Sequence, residues 1–499
     1  MSSFFGLNIA RSALTMAQKG LDVTGHNIAN ANTVGYSRQR LLTSAVEPPV
    51  LGSRFAVTSA ATGGGVKILT VDQIRNPFLD AQYRQEYNLA SQWSTRAEHL
   101  SYIESLFDEL SDTGLTKALS QFADSLQELS RDPSNMEYRT NLLQQSLKLV
   151  ETFHHYSKQQ SDKLSELDQT VVTLTSQVND ITRSIADLNK TIAQYELGGQ
   201  QANDLRDQRN VLLDRLAGLI DYRCQEDEMG RLKVTIGYQT LIDHDQVRSL
   251  TAVADQENPL MGATDYLHRI VFEETGEEPL LSGGQIKAIL NLRDGSSKDN
   301  IGIPYLSAQL DTLAASLAAS FNEIHAQGWT LPDPEAGLPS SIGRLFFAQT
   351  VDEEGQPLPI GACNIQIDPV LIDRISQIAA SSLPVTSEAM SGNNENILQL
   401  VQLFHRQDIP GVGSFNGFVQ SLTVTLGIEV SHAKTRSDNQ AVLVDSLEQQ
   451  RQSVSGVSLD EEMTQLIRMQ HSYTAAARMI NAIDECLDIL INKTGLAGR

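Results

Sequence analysis

The sequence predicts a mainly α fold with β-rich inserted domains. Its body is an elongated helical bundle, or coiled coil, built from both chain termini. Three observations predict it. Apolar residues recur every seven positions at both extreme ends. A helical pattern fills residues 77 to 220 and returns near 395. Between these tracts lie stretches of alternating or Pro- and Gly-rich sequence, which read as strands and loops.

At the N-terminus Leu7, Leu14, Leu21 and Ile28 repeat every seven residues, and Ala10, Ala17, Thr24 and Ala31 follow each by three. Small residues at every second seam position let a partner helix approach closely. The stripe runs into Asn27-Ile28-Ala29-Asn30-Ala31-Asn32-Thr33-Val34-Gly35-Tyr36. Three Asn and a Gly there predict a helix stop and a turn, because both tolerate left-handed backbone. Residues 37 to about 75, with Pro48-Pro49 and Gly63-Gly64-Gly65, read as extended segments. Helices follow, with breaks near Asp112-Thr113-Gly114 and Asp132-Pro133-Ser134. The clearest stripe carries Leu164, Leu167, Val171, Leu174, Val178, Ile181, Ile185, Leu188, Ile192 and Tyr195, and Gly198-Gly199 closes it. Asp204-Leu205-Arg206-Asp207-Gln208-Arg209 opens a shorter helix. Leu232, Val234 and Ile236 alternate as a strand does. Further helices are predicted after Pro304 and from Phe415 to Val454. Gly456 ends the latter, and Ser458 with Glu461 predicts a capping box for the last helix. There Leu459, Leu466, Tyr473, Ile480 and Leu487 recur every seven, with Met469, Ala476, Ile483 and Leu490 three after the last four.

The implied division is 1–36 and 463–499 as a terminal coiled-coil inner domain. Residues 37–220, 285–329 and 395–462 form a helical bundle domain, and 221–284 and 330–394 one or two β-rich outer domains. A single stripe cannot bury itself, so each terminus offers the other a partner. Charge favours the pairing mildly: Arg11, Lys19, Arg38 and Arg40 against Asp22 give +3 over residues 1–40, while six acids and four bases give −2 over 460–499. An intramolecular coiled coil is one account of the ends. Termini that fold on assembly are the other.

The 499 residues carry a formal net charge of −23 at pH 7. That opposes general nucleic-acid binding and docking on anionic membranes. No apolar run reaches the roughly 18 residues of a membrane span, and no cleaved signal is evident at the start. The sequence predicts no enzyme and no cofactor or metal. Cys224, Cys363 and Cys486 are scattered, and phosphate-loop, HExxH and GxSxG motifs are absent. His154-His155 are adjacent on a helix and face apart. Asp243-His244-Asp245 reads as a polar turn, and Gln225-Glu226-Asp227-Glu228 as a solvated one. Asn189-Lys190-Thr191 and Asn492-Lys493-Thr494 match the glycosylation acceptor pattern inside predicted helices, where chance explains them better.

Asn27 to Tyr36 resembles the N-terminal signature of flagellar rod, hook and hook-associated proteins. Ser37-Arg38-Gln39 is similar to the version in the hook-associated protein 1 family. Gly456-Val457-Ser458-Leu459-Asp460-Glu461-Glu462, with Gln470, Tyr473 and Ala475, resembles that family's other end. Gly283-Gly284-Gln285 and Asn322-Glu323-Ile324-His325-Ala326-Gln327-Gly328 resemble its middle. Val34 stands where that family usually has proline. The resemblance implies a structural flagellar component, secreted through the flagellum's own channel without a cleaved signal and located at the hook–filament junction. It implies a homo-oligomeric ring contacting the hook protein and a second junction protein on the filament side. It also implies a cytoplasmic export chaperone on the C-terminal helix, no nucleic acid and no membrane insertion. The expected assembly interface is Leu7, Leu14, Leu21, Asn27, Ile28, Asn30, Gly35, Tyr36, Leu459, Leu466, Tyr473, Ile480, Ile483, Leu487 and Leu490. The competing expectations are a flagellin-like filament or hook subunit and a non-flagellar coiled-coil adaptor.

Overall fold

A computed structural model describes residues 3–47, 63–107, 114–227, 229–260, 262–333, 338–350, 356–387 and 390–489. Leu490, the Asn492 acceptor pattern and Asp112-Thr113 lie outside these residues. The chain opens with α1 (Ser3–Ala29) and an antiparallel hairpin of β1 (Gln39–Ala45) and β2 (Val66–Gln73). Four helices follow: α2 (Pro77–Leu106), α3 (Leu115–Arg131), α4 (Met136–Glu196) and α5 (Asn203–Leu219). Next come a four-stranded antiparallel meander, β3 (Arg223–Glu226), β4 (Leu232–Ile236), β5 (Gln239–Asp243) and β6 (Gln246–Val247), and a ribbon of β7 (Leu250–Asn258) and β8 (Gly262–Phe272). Helix α6 (Gly284–Asp294), the short pair β9 (Ser296–Ser297) and β10 (Asn300–Ile301), and α7 (Ile303–His325) return to the body. The pair β11 (Phe347–Ala348) and β12 (Gln366–Ile367), then α8 (Pro369–Asp373) and α9 (Glu395–Leu403), precede the long α10 (Phe415–Ser455) and α11 (Leu459–Asp488).

Helix α4 is the spine. Its 61 residues span about 90 Å at 1.5 Å per residue. Asn135 caps it through the Glu137 amide at 2.8 Å, which explains why the Asp132-Pro133 break restarts as a helix. Leu164, Leu167, Val171, Val178, Ile185 and Ile192 of its stripe are fully buried, while Tyr195 at its end is exposed. Helix α10 lies along α2, and α3 along α4. One hydrophobic cluster runs through these helices, the meander, the ribbon and the 346–380 segment. It is mostly aliphatic. Its densest aromatic part is a knot of Phe122, Phe321, Phe346, Phe347 and Phe404, with neighbouring ring centroids 4.7 to 6.5 Å apart.

The β material is fastened to the spine by side chains with short polar groups. Asn179 exchanges two hydrogen bonds with the Leu250 backbone, donating at 2.7 Å and accepting at 2.9 Å. Asn189 donates to the Leu232 and His244 carbonyls and accepts from Arg209. Asp168 accepts from the His268 amide and from Arg293. Spaced 11 and 10 residues apart, these three lie along one side of α4. Asn189 is fully buried, so this acceptor pattern is structural. His244 adopts φ +63° in the tight turn between β5 and β6, as a polar turn there requires. The run at Glu226 is not merely solvated. Arg206 and Arg209 both bond Glu226, and Asp227 holds Arg231, because two cations on α5 point at this strand end. Residues 330–394 carry little strand: among the described residues there, only the two-residue strands β11 and β12 and isolated bridges occur. Their backbone is satisfied by helix side chains instead. Asn322 accepts from the Phe346 and Phe347 amides and donates to the Phe347 carbonyl.

His325 serves the same segment. Its Nε2 accepts from the Ala379 amide at 3.0 Å, so Nδ1 carries the proton donated to the Arg344 carbonyl at 2.7 Å. Burial pushes the imidazole down to about 4, with Arg139 adding to the shift and Arg344 and Asp368 opposing it. An unfolded histidine binds its proton near 6.5, so the stability gained from the neutral ring is complete above that pH. It is lost as pH falls toward 4, by about 3 kcal/mol in all. Urea unfolding of wild type and His325→Gln at pH 7 and pH 4.5 checks this. The wild type is expected to lose more stability between the two pH values than the variant does.

Candidate assembly interface

Helices α1 and α11, from opposite ends of the sequence, pack antiparallel. A Cβ on Gly6 would lie 3.4 Å from Ile483, and one on Gly20 would lie 2.8 Å from the Met469 sulfur. Asn27 meets Glu462. These three contacts mark one register without a slip. The buried line of the seam is mostly small or polar: Ala10, Ala17, Gly20, Thr24 and Asn27 are buried together with Val23, as is Ala476 opposite. Leu7, Leu14, Leu21 and Ile28 flank this line half-buried, as do Leu466, Met469, Ile480, Ile483 and Leu487 on α11. Leu459 and Tyr473 are exposed, by 51% and 39%. With Met463 and Ile467 they leave an apolar strip on α11 that α1 does not cover.

The signature residues close the end of this pair. Asn27 is 1% exposed and uses its whole hydrogen-bonding capacity. Its Oδ1 accepts from the Tyr36 hydroxyl (2.7 Å) and the Gln39 amide (3.0 Å). Its Nδ2 donates to the Gln39 carbonyl (2.9 Å) and to Glu462 (3.1 Å). Since the Tyr36 proton goes to Asn27, the 3.0 Å contact with His26 Nδ1 has the imidazole donating. Burial raises the Tyr36 hydroxyl above its ordinary value, and Asp204, Asp207 and Glu462 add to that. Asn30 donates back to the His26 carbonyl at the helix end. Tyr36 N–H then bonds the Thr33 carbonyl around Val34 and Gly35, with Gly35 at φ +81°. This is the arrangement of a type II turn, in which only glycine is at ease at the third position. A Cβ on Gly35 would also lie 2.1 Å from Val211.

The predicted capping box at Ser458 does not form, as the Ser458 side chain makes no cap bond. Glu461 and Glu462 are drawn instead to Arg38, whose Nη1 and Nε donate to them at 2.7 Å each. A charge-assisted bond outcompetes a neutral one to a backbone amide. Glu462 is 2% exposed.

A second set of ion pairs, without a motif of its own, ties the signature to the body. Ser37 donates from its amide and hydroxyl to Asp207. Arg75 bridges Asp207 and Asp80, Arg451 bridges Asp80 and Asp214, and Arg84 holds Asp214. The Arg451 guanidinium also stacks 4.1 Å over Tyr83. Burial raises the Asp207 carboxyl, against the Ser37 bonds and Arg75. The one hint in sequence is the density of charge at 204–209, where four residues in six are ionisable. Among the described residues no three His, Cys, Asp or Glu are placed to hold a metal ion, and no helix is long and apolar enough to cross a membrane.

Val34 is 89% exposed at the second position of the type II turn, where proline fits best. Val34→Pro is expected to stabilise the chain by about 0.4–1 kcal/mol by restricting the unfolded state. Gly35→Ala is expected to destabilise it by more than that gain, through positive φ and the Val211 clash. Denaturant midpoints of the two variants measure both effects.

Residues 100–340 match the family model for the flagellar hook-associated protein FlgK helical domain. Residues 7–36 match that for flagella basal body rod protein, and 448–493 that for the flagellar basal body rod FlgEFG protein C-terminal region. The chain is 32% identical to flagellar hook-associated protein 1 of Bacillus subtilis, with 100% of both chains covered. It is 26% identical to flagellar hook-associated protein 1 of Salmonella typhimurium, over 97% of this chain and 99% of that one. The fold is similar to that of the flagellar hook junction protein FlgK from Burkholderia pseudomallei, with a TM-score of 0.59 at 15% identity over 75% of this chain and 100% of that chain. A full-length match at this identity, on a chain whose two ends fold into the paired helices that the rod-type regions span, places the protein in the flagellar hook-associated protein 1 family.

Proposed function

We propose that this chain is a structural component of the bacterial flagellum, a ring-forming junction protein between hook and filament on which filament assembly depends. The observation that carries the proposal is the α1–α11 pair. Both chain ends are spent on one helical layer, and that layer still exposes Leu459, Met463, Ile467 and Tyr473. An exposed apolar strip of this kind is a contact surface awaiting a neighbour. Like subunits in a ring supply neighbours laterally. The hook protein and a second junction protein on the filament side supply them axially. The same strip suits an export chaperone in the cytoplasm, which would cover α11 until the chain leaves through the flagellar channel. The interface residues are those of the two stripes together with Asn27, Asn30, Gly35 and Tyr36, which fix the pair's register and exit.

Two variants test this. Deletion of residues 463–499 is expected to leave a soluble, folded body that fails to restore filaments on hooks of a strain lacking the protein. Filament growth with the truncated chain would remove the assembly role of the C-terminus. Leu14→Asp places a charge on the half-buried flank of the seam. It is expected to retain the wild-type melting transition of the body while losing incorporation into the junction, scored by electron microscopy.

A further inference from the structure

The long helices of the body differ in what they show to solvent. Six exposed positions of α4 carry a carboxylate: Glu137, Glu151, Asp162, Glu166, Asp180 and Asp187. That is the ordinary outer face of a long helix. Helix α10, 41 residues long, is different. It packs mainly on α2, and its buried line runs through Val419, Leu426, Val430 and Ala433. On the opposite side Val424 and Ile428, one turn apart, are 60% and 51% exposed, and Val442 is 70% exposed. Ser431, Thr435, Asn439, Ser446 and Gln449 fill the same line at helical spacing. Lys434, Asp438 and Asp445 stand beside it. Among the described residues of α10 from Asn416 to Ser431 no exposed side chain is ionisable, and among those of α2 Glu98 is the one exposed charge. Glu429 is half-buried and pairs with Arg96. Between the two helices lies a groove of about 470 Å³ whose lining includes the small side chains of Ser94, Ala97, Ser101 and Ser437.

We propose that the α2–α10 flank of the body is the face a second copy of this chain covers, which rests on the ring reading above and names where its lateral contact falls. Charge selects the occupant. Each copy carries a formal net charge of −23, so copies repel one another. Like charges set opposite each other across an interface cost several kcal/mol. The α4 flank would bring its carboxylates against a neighbour of the same sign. The α2–α10 flank brings none from the first half of α10 and one from α2. A partner of basic character is recognised through acids, whereas a partner as acidic as the chain itself requires a face without them. Depletion of charge together with exposed apolar side chains is also the composition of an interface centre. Val424, Ile428 and Val442 are its projecting residues, and the serine- and alanine-lined groove is its hollow. The contact lies wholly on the body and needs nothing from α1 or α11.

Crosslinking in assembled flagella tests the flank. The photoreactive residue p-benzoylphenylalanine is placed at Ile428 or Val442 on α10, or at Glu151 or Asp180 on α4, in full-length chains expressed in a strain lacking the protein. All four positions are exposed. After irradiation, Ile428 and Val442 are expected to give an adduct of two copies of this chain, and Glu151 and Asp180 none. Two-copy adducts from α4 and not from α10 would overturn the flank and leave the ring standing. Adducts of the α10 positions with a different protein would overturn it too. Two-copy adducts from no position would overturn the ring along with the flank. Added charge gives a second measurement. Val424→Glu with Ile428→Glu is expected to keep the wild-type melting transition and lose incorporation into the junction, whereas Glu151→Gln with Asp180→Asn incorporates as the wild type does. Unimpaired incorporation of the glutamate variant would count against the proposal.

Discussion

The carboxylate of Glu462 is the point at which the two ends of this chain are brought into one register. It sits shielded between Asn27 from α1 and Arg38, the residue just before β1. A buried carboxylate is expensive unless it is paired and its lone pairs are used. Here one oxygen takes the Arg38 Nε and the other the Asn27 amide. A one-residue slip of α1 along α11 would leave that charge unpaired. Smooth small-residue seams have little else to fix their register, since alanine meets alanine equally well one turn away. The polar contact at one end therefore supplies the specificity that the apolar seam lacks, as a single polar residue does in a coiled coil.

The same economy explains the shape of the seam. Ala10, Ala17 and Gly20 let the helices approach closely, and the leucines lie beside the line of contact. Close packing of two backbones gains dispersion contacts but buries little side-chain area. The flanking Leu7, Leu14, Leu21 and Ile28 remain half-open in the isolated chain, and this is the apolar area that the proposed assembly would bury. A seam with leucine at its centre would leave less of it open.

Helix positions were legible because each rests on local physics. The breaks at Asp132-Pro133, Gly198-Gly199 and Gly456 fall where α4 begins, where it ends and where α10 ends. The stripe from Leu164 to Ile192 lies on the core because period and burial are one fact in a helix. The rule failed where a side chain had two possible partners. Ser458 and Glu461 spell a capping box, yet Arg38, distant by 423 residues, takes the glutamate. Nothing local marks the contacts of Asn179, Asn189, Asn322 and Asp168, because an Asx residue bonding a distant backbone looks in sequence like an exposed polar position. The ion pairs around Arg75 and Arg451 were hidden for the same reason: nothing local indicates which of many charges is half-buried.

Those Asx contacts bear on why the sheets are so small. Among the described residues each sheet has two strands apart from the four-stranded meander, and the sheets do not continue into one another. A strand pair this narrow is marginal alone, because its edges leave backbone groups open. Asn179 and Asn189 close some of those groups from the side of α4, at Leu250, Leu232 and His244. The spine thus does for the β segments what a neighbouring strand would do in a larger sheet. Each segment is held independently, at its own point along one rigid helix. A change in the length of one segment then alters its loop and leaves the grip of the next in place, so the projecting parts can vary while the terminal pair keeps its geometry.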